Sequence, residues 1–129
     1  MSAGEASKGT ILVVDDEEMN IVVLSKILTR SGFQVISATN GFEGVEASKG
    51  EPKPNLILMD LMMPQMNGWD ATKAIKAAPE TKDIPVIAVT ALTNEHQAAI
   101  DFGFDNFCPK PIDFNSLISI IEGFLKKSA

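Results

Sequence analysis

The chain alternates two kinds of segment: short runs rich in valine and isoleucine, and longer stretches whose apolar residues recur at helical spacing. The short runs predict strands at Ile11–Val14, Gln34–Ser37, Leu56–Met59, Val86–Val89 and Asn106–Cys108. Three of them, Ile-Leu-Val-Val, Leu-Ile-Leu-Met and Val-Ile-Ala-Val, are almost wholly apolar, which suits strands covered on both faces of a parallel sheet. The first helix is expected from about Glu18 to Ser31, with Ile21, Leu24 and Leu28 on one face and Gly32 placed to end it. Asn40 with Glu43, and Asn94 with Gln97, have the spacing of N-caps answered three residues later, opening helices at about Gly41–Ser48 and Glu95–Phe102. Gly103 stops the second of these. Another helix is expected over Trp69–Ala77, before Pro79, and the last has Asp113 as its cap and Phe114, Leu117, Ile118, Ile121 and Leu125 as its stripe. Five strands alternating with five helices imply an α/β fold, a five-stranded parallel sheet with right-handed crossovers and helices on both faces. Residues 1–9 are small and polar and read as a disordered lead-in, leaving a domain over residues 10–127.

Composition narrows the class. A chain of 129 residues, 45% hydrophobic and 22% charged, has the balance of one soluble globular domain. Its single cysteine, Cys108, excludes an intramolecular disulfide and reads as a small buried hydrophobe. No apolar run approaches the ~20 residues needed to cross a bilayer, and the N-terminus lacks an apolar signal core, so a cytoplasmic location is expected. Eleven basic against 17 acidic residues give a net charge of −6, the wrong sign for a nucleic-acid backbone or an anionic membrane surface.

In an open parallel sheet, ligands bind where the chain leaves the carboxyl ends of the strands. There the sequence places Asp15-Asp16-Glu17-Glu18 after the first strand, Asp60 after the third, Thr90-Ala91 after the fourth and Pro109-Lys110-Pro111 after the fifth. If the strands are adjacent, three aspartates, a hydroxyl and an ammonium converge. Clustered carboxylates call for a counter-charge, and hard oxygen ligands without histidine or cysteine point to Mg²⁺, or Mn²⁺, rather than zinc or copper. Such a set is half of a phosphoryl-transfer site. The sequence has no glycine-rich phosphate loop after the first strand, which argues against a bound nucleotide, whereas a carboxylate can itself accept phosphoryl. Asp60, alone at the end of the middle apolar strand, is the best acceptor. His96 reads as a plain surface residue, and Met59, Met62, Met63 and Met66 as strand-core and loop packing rather than a copper site.

Taken together, Val13-Val14-Asp15-Asp16-Glu17, Leu58-Met59-Asp60-Leu61-Met62-Met63-Pro64 followed by Asn67-Gly68, Val89-Thr90-Ala91 and Pro109-Lys110-Pro111 resemble a response-regulator receiver domain of two-component signalling, of the single-domain chemotaxis-regulator type. The resemblance spans about Thr10 to Lys127 and implies a doubly wound, flavodoxin-like (βα)5 fold. It also implies that Asp60 is the phosphoacceptor, that Asp16 and Asp60 hold Mg²⁺ with the backbone carbonyl of Met62, and that Asp15 acts mostly through a metal-bound water. Thr90 and Lys110 would contact the phosphoryl oxygens, and Phe107 would occupy the aromatic switch position, usually a tyrosine. Met62 and Leu92 stand where family members commonly carry polar residues flanking the attacking water, which leads us to expect slow loss of the phosphoryl group.

The implied partners are a sensor histidine kinase or histidine phosphotransfer protein as donor and a protein output target, with a phosphorylation-dependent dimer as one route. The output surface is expected on the fourth helix, last strand and last helix. The implied role is a switch rather than an enzyme turning over an external substrate. An enzymatic alternative, an aspartyl-nucleophile phosphatase of the haloacid dehalogenase group, typically needs a second aspartate two residues after the nucleophile, where Met62 stands. A transcription factor would need a DNA-binding segment, and none is read before Ala129.

Overall fold

Strands form where the β-branched and apolar runs lie, and helices where the stripes lie. The structure, a computed structural model, describes residues 8–63, 66–91 and 96–128, the side chains of 96 and 126–128 excepted. In chain order the elements are β1 (Thr10–Val14), α1 (Glu18–Arg30), β2 (Gln34–Ala38), α2 (Gly41–Lys49), β3 (Leu56–Asp60), α3 (Gly68–Ala77), β4 (Val86–Thr90), α4 (His96–Phe102), β5 (Asn106–Pro109) and α5 (Phe114–Ser128). All neighbouring strands are parallel, in the order β2-β1-β3-β4-β5.

Because side chains alternate across a strand, the sheet has two dry faces. Leu12, Val14, Ile57, Met59, Val86 and Ala88 point into one cluster, which Ala71 and Ile75 of α3, Ala99 of α4 and the partly buried Val45 of α2 cover. Ile11, Val13, Leu56, Leu58, Ile87 and Val89 point into the other, covered by Leu24 and Leu28 of α1 and Leu117 and Ile121 of α5. β1, β3 and β4 are buried along their whole length, whereas β2 and β5 at the edges are partly open.

The helix ends follow local chemistry. Asn40 accepts the Glu43 N–H at 2.9 Å, but the Glu43 carboxylate turns back to Thr39 rather than to Asn40, accepting from its N–H and hydroxyl, each at 2.8 Å. Asp113 caps α5 by accepting the Asn115 N–H at 3.1 Å and the Ser116 N–H at 3.3 Å. Gly32 (φ 103°) and Gly103 (φ 130°) follow α1 and α4 in the left-handed region that glycine adopts without strain. The cap expected from Asn94, the helix start at Glu95 and Leu92 lie outside the described residues, as does the side chain of His96. Of the lead-in expected over residues 1–9, residues 1–7 lie outside the described residues, and Lys8 and Gly9 are bonded to the domain. The Lys8 N–H donates to the Gly32 carbonyl at 2.9 Å, the Lys8 ammonium reaches Glu122 at 2.7 Å, and the Gly9 carbonyl accepts the Gln34 N–H at 2.9 Å.

α3 starts one residue earlier than its stripe implies, because Asn67 caps it by accepting the Asp70 N–H at 2.9 Å. Its first residue, Gly68, packs directly on the chain leaving β3: a Cβ there would drive into the Asp60 carbonyl oxygen and lie 2.9 Å from the Leu61 Cα. Gly123, inside α5, has nothing within 4 Å of the same position. Helix propensity favours alanine over glycine by about 1 kcal/mol, while overpacking against backbone costs about 1–3 kcal/mol. Gly123→Ala is therefore expected to stabilise the protein by about 1 kcal/mol, and Gly68→Ala to destabilise it by about 2 kcal/mol. Urea denaturation of the two variants measures both signs; a stabilised Gly68→Ala would show that α3 can slide off the end of β3.

Candidate functional site

The strand register brings the acidic residues together. Val14 lies opposite Met59, so the residues that follow, Asp15 and Asp60, leave β1 and β3 side by side. One carboxylate oxygen from each of Asp15, Asp16 and Asp60 lies within 4.8 Å of the others. Asp15 and Asp60 are each only 4% exposed, whereas Asp16 faces solvent. Lys110, one residue past β5, places its ammonium 3.5 Å from Asp60 Oδ2 and 4.0 Å from Asp15 Oδ2. Its own N–H donates to the Thr90 carbonyl at 2.9 Å, which fixes the β5 exit to the end of β4. Thr90 is buried at that end, and Phe107 lies half-buried on β5 against the cluster that contains Ala88 and Phe104.

Each buried carboxylate has donors. Asp60 Oδ1 accepts the Met62 N–H at 3.1 Å; Asp15 Oδ1 accepts the Glu17 N–H at 2.9 Å, and its Oδ2 accepts from the Asn20 amide at 3.2 Å. Glu17, not either aspartate, occupies the N-cap position of α1, and it makes no side-chain cap bond. Burial pushes the Asp60 carboxyl up to about 6 from 3.8. The Met62 N–H and Lys110 pull it down, and the charges of Asp15 and Asp16 add to the rise. Cys108 is buried on β5, and burial, with the charge of Asp113 adding to it, pushes its thiol up, which leaves it a packed hydrophobe.

The donor set is oxygen only, two carboxylates nearly dry and one open to water, and it fits a small hard cation such as Mg²⁺ that keeps part of its hydration shell. Five of the residues read from the sequence, Asp15, Asp16, Asp60, Thr90 and Lys110, thus gather at one end of the sheet. Met62 departs from expectation. Its backbone binds Asp60, but its side chain is 65% exposed rather than packed, while Met63 turns inward. Asn20, whose amide reaches Asp15, went unnoticed in the sequence, and Gly68, quoted there only within the family motif, owes its place to the close approach of α3 to Asp60 that its lack of a side chain allows. Asn20 carried only a weak signal, an amide two residues beyond the acidic run.

The protein PilH of Pseudomonas aeruginosa is 37% identical over 117 residues, 89% of this chain and 96% of its own length. The polar-differentiation response regulator DivK of Brucella anthropi is 32% identical over 118 residues, 90% of this chain and 95% of its own. The crystal structure of the receiver domain of a sensor histidine kinase from Pseudomonas aeruginosa PAO1, with a magnesium ion coordinated in its active-site cleft, superposes with a TM-score of 0.83 at 27% identity, covering 92% of this chain and 98% of that one. No helix among the described residues is long and apolar enough to cross a membrane. The sequence profile of the response regulator receiver domain matches residues 11–122, and the chain belongs to that family of two-component signalling domains.

Proposed function

We propose that the protein receives a phosphoryl group on Asp60 from a phosphohistidine of a sensor kinase or phosphotransfer protein and passes the signal on through a changed surface. The observation that carries this reading is the seat of Asp60: a nearly dry carboxylate at the end of the middle strand, held by the Met62 N–H at 3.1 Å and faced by Lys110 at 3.5 Å. A Mg²⁺ ion would be held by Asp16 and Asp60 with the Met62 carbonyl, Asp15 contributing through water, and it would supply charge neutralisation of the phosphoryl oxygens. The Asp60 oxygen attacks phosphorus, the P–N bond to the donor imidazole breaks, and the leaving nitrogen takes a proton. Lys110 pairs with the incoming phosphoryl charge, and the Thr90 hydroxyl donates to a phosphoryl oxygen. Both are anchored to the β4 and β5 ends, so their movement toward the phosphoryl group is what shifts Phe107 and the face formed by α4, β5 and α5. That face would meet the output protein or a second copy of the chain.

Incubation with acetyl phosphate and MgCl₂ is expected to add one phosphoryl group to the wild type and none to Asp60→Asn, read as an 80 Da increment by intact-mass spectrometry (about the mass of HPO₃). Equal labelling of the variant would refute Asp60 as acceptor.

The raised Asp60 carboxyl gives a second test. A group whose folded pKa lies above its unfolded value binds its proton more tightly when folded, so its contribution to stability is fully present below pH about 4 and is lost as pH rises through about 6. In EDTA, Asp60→Asn should match the wild type near pH 3.5 and exceed it at pH 7 by on the order of 1 kcal/mol, the residual hydration and Lys110 cutting the full effect. Chemical denaturation at the two pH values measures the gap, and no change in it would mean that Asp60 is not strained when ionised.

Neither Met62 nor Leu92 has a group that can hold a water in line with the aspartyl phosphate, and positioning is most of what this hydrolysis needs. Phosphoryl loss is expected to be slow and to speed up severalfold in a Met62→Asn, Leu92→Glu double variant. An unchanged decay rate after removal of donor would take these two side chains out of the control of lifetime.

A further inference from the structure

We infer that Asn20 is a positioning residue that holds Asp15 in its metal-facing orientation and keeps it from drawing Lys110 away from Asp60; this rests on the metal-site reading above. The amide nitrogen of Asn20 donates to Asp15 Oδ2 at 3.2 Å and to Glu17 Oε1 at 3.4 Å, so its two hydrogens bridge carboxylates that would otherwise repel. With the Glu17 N–H on Asp15 Oδ1 at 2.9 Å, both oxygens of Asp15 are fixed from the α1 side. On the other side, Lys110 stands 4.0 Å from the same Oδ2 and 3.5 Å from Asp60. Asn20 and Lys110 therefore compete for one oxygen of Asp15. They also line, with Asp15, Leu24 and Ile112, one cleft of about 230 Å³ between α1 and the segment after β5.

Helix formation does not explain this residue. Asn20 sits three positions after the N-cap Glu17, in the first turn of α1, where a side chain that caps would accept a backbone N–H; here it donates to carboxylates instead. Alanine has the higher helix propensity, so removing the amide does not weaken α1 by itself. Without it, Asp15 loses the donor on Oδ2, and the nearest cation to that oxygen is the one that serves Asp60. Groups that orient a metal-holding carboxylate without touching the metal typically change affinity by 10-fold or more when lost, roughly 10- to 100-fold.

The test uses the full chain, MgCl₂ and two variants. Asn20→Ala removes the amide, and Asn20→Leu keeps its size while removing both donors. Titration with MgCl₂ followed by amide NMR shifts at residues 59–62 should give a dissociation constant about tenfold above wild type in both, with thermal midpoints unchanged or higher. Labelling by acetyl phosphate should be slowed at low MgCl₂ and return to the wild-type rate at saturation, a split that a misfolded or loosened α1 would not produce. Affinities within twofold of wild type in both variants would overturn the inference, and so would a loss in Asn20→Ala that Asn20→Leu repairs, since volume rather than donation would then be the cause. If the wild type itself binds no magnesium, the metal-site reading fails and the inference falls with it; if the wild type binds and the variants bind equally, only the role of Asn20 is lost.

Discussion

Two carboxylates with almost no access to water sit beside a third, and the whole carboxyl end of the sheet is arranged around that repulsion. At about 4 Å two like charges in a protein surface environment repel by about 4 kcal/mol before screening. Lys110, 3.5 Å from Asp60 and 4.0 Å from Asp15, returns a comparable attraction. The balance still leaves Asp60 raised to about 6, with burial as the leading cause and the Asp15 and Asp16 charges adding to it. Desolvation and the two neighbouring carboxylates thus outweigh the ammonium and the Met62 N–H together. A carboxylate kept in this condition gains from any added positive charge. A divalent cation supplies such a charge.

The topology makes such a concentration tolerable. The chain passes from β1 outward to β2 and then back across to β3, so β1 and β3 are neighbours whose following segments depart in opposite directions. Asp15 and Asp16 lead into α1, on the face of Leu24 and Leu28; the loop after Asp60 leads to α3, on the face of Ala71 and Ile75. The crevice opens where these two paths diverge. Its walls are strand ends whose backbones are locked into a five-stranded ladder, the three central strands of which are buried on both faces. Stability for the acidic cluster comes from this dry sheet and not from the cluster itself.

The elements were legible because each strand and helix announces itself by its apolar period. The strand ends were not. The expected strands stopped at Ser37, Met59, Val89 and Cys108, whereas the ladder continues one residue further, to Ala38, Asp60, Thr90 and Pro109, which in β3 and β4 is one residue past the apolar run. Backbone pairing does not depend on side-chain polarity, and the polar residues that end β3 and β4, Asp60 and Thr90, lie at the acidic crevice, so the place where periodicity fails marks the candidate site. Asp15, Asp16, Asp60, Thr90 and Lys110 could be named because the family's motifs are contiguous in sequence. Asn20 could not, since its meaning lies in a bond across a turn to one oxygen of Asp15. The packing expected of Met62 failed for a related reason: in an irregular loop nothing in the sequence says which of two adjacent methionines turns inward, and here Met63 does.

Lys110 gives the site a route to the rest of the molecule. Its ammonium answers to Asp60 while its N–H is bonded to the Thr90 carbonyl, so one residue ties Asp60 to the last pair of strands. The next segment runs through Ile112 and Phe114, both packed against the α1 and α5 side of the core. Phe107, three residues earlier, packs against the opposite side. A change in the charge at Asp60 is therefore felt by a residue whose neighbours reach both faces of the sheet. In a core packed at crystal-like density, a small displacement of such a residue is passed on and not absorbed. The edge position of β5 lowers the cost further, since only one neighbouring strand must accommodate the movement. A buried carboxylate at the centre of the sheet and a strand at its edge are joined by one side chain, the route by which the proposed change of charge at Asp60 would reach the surface.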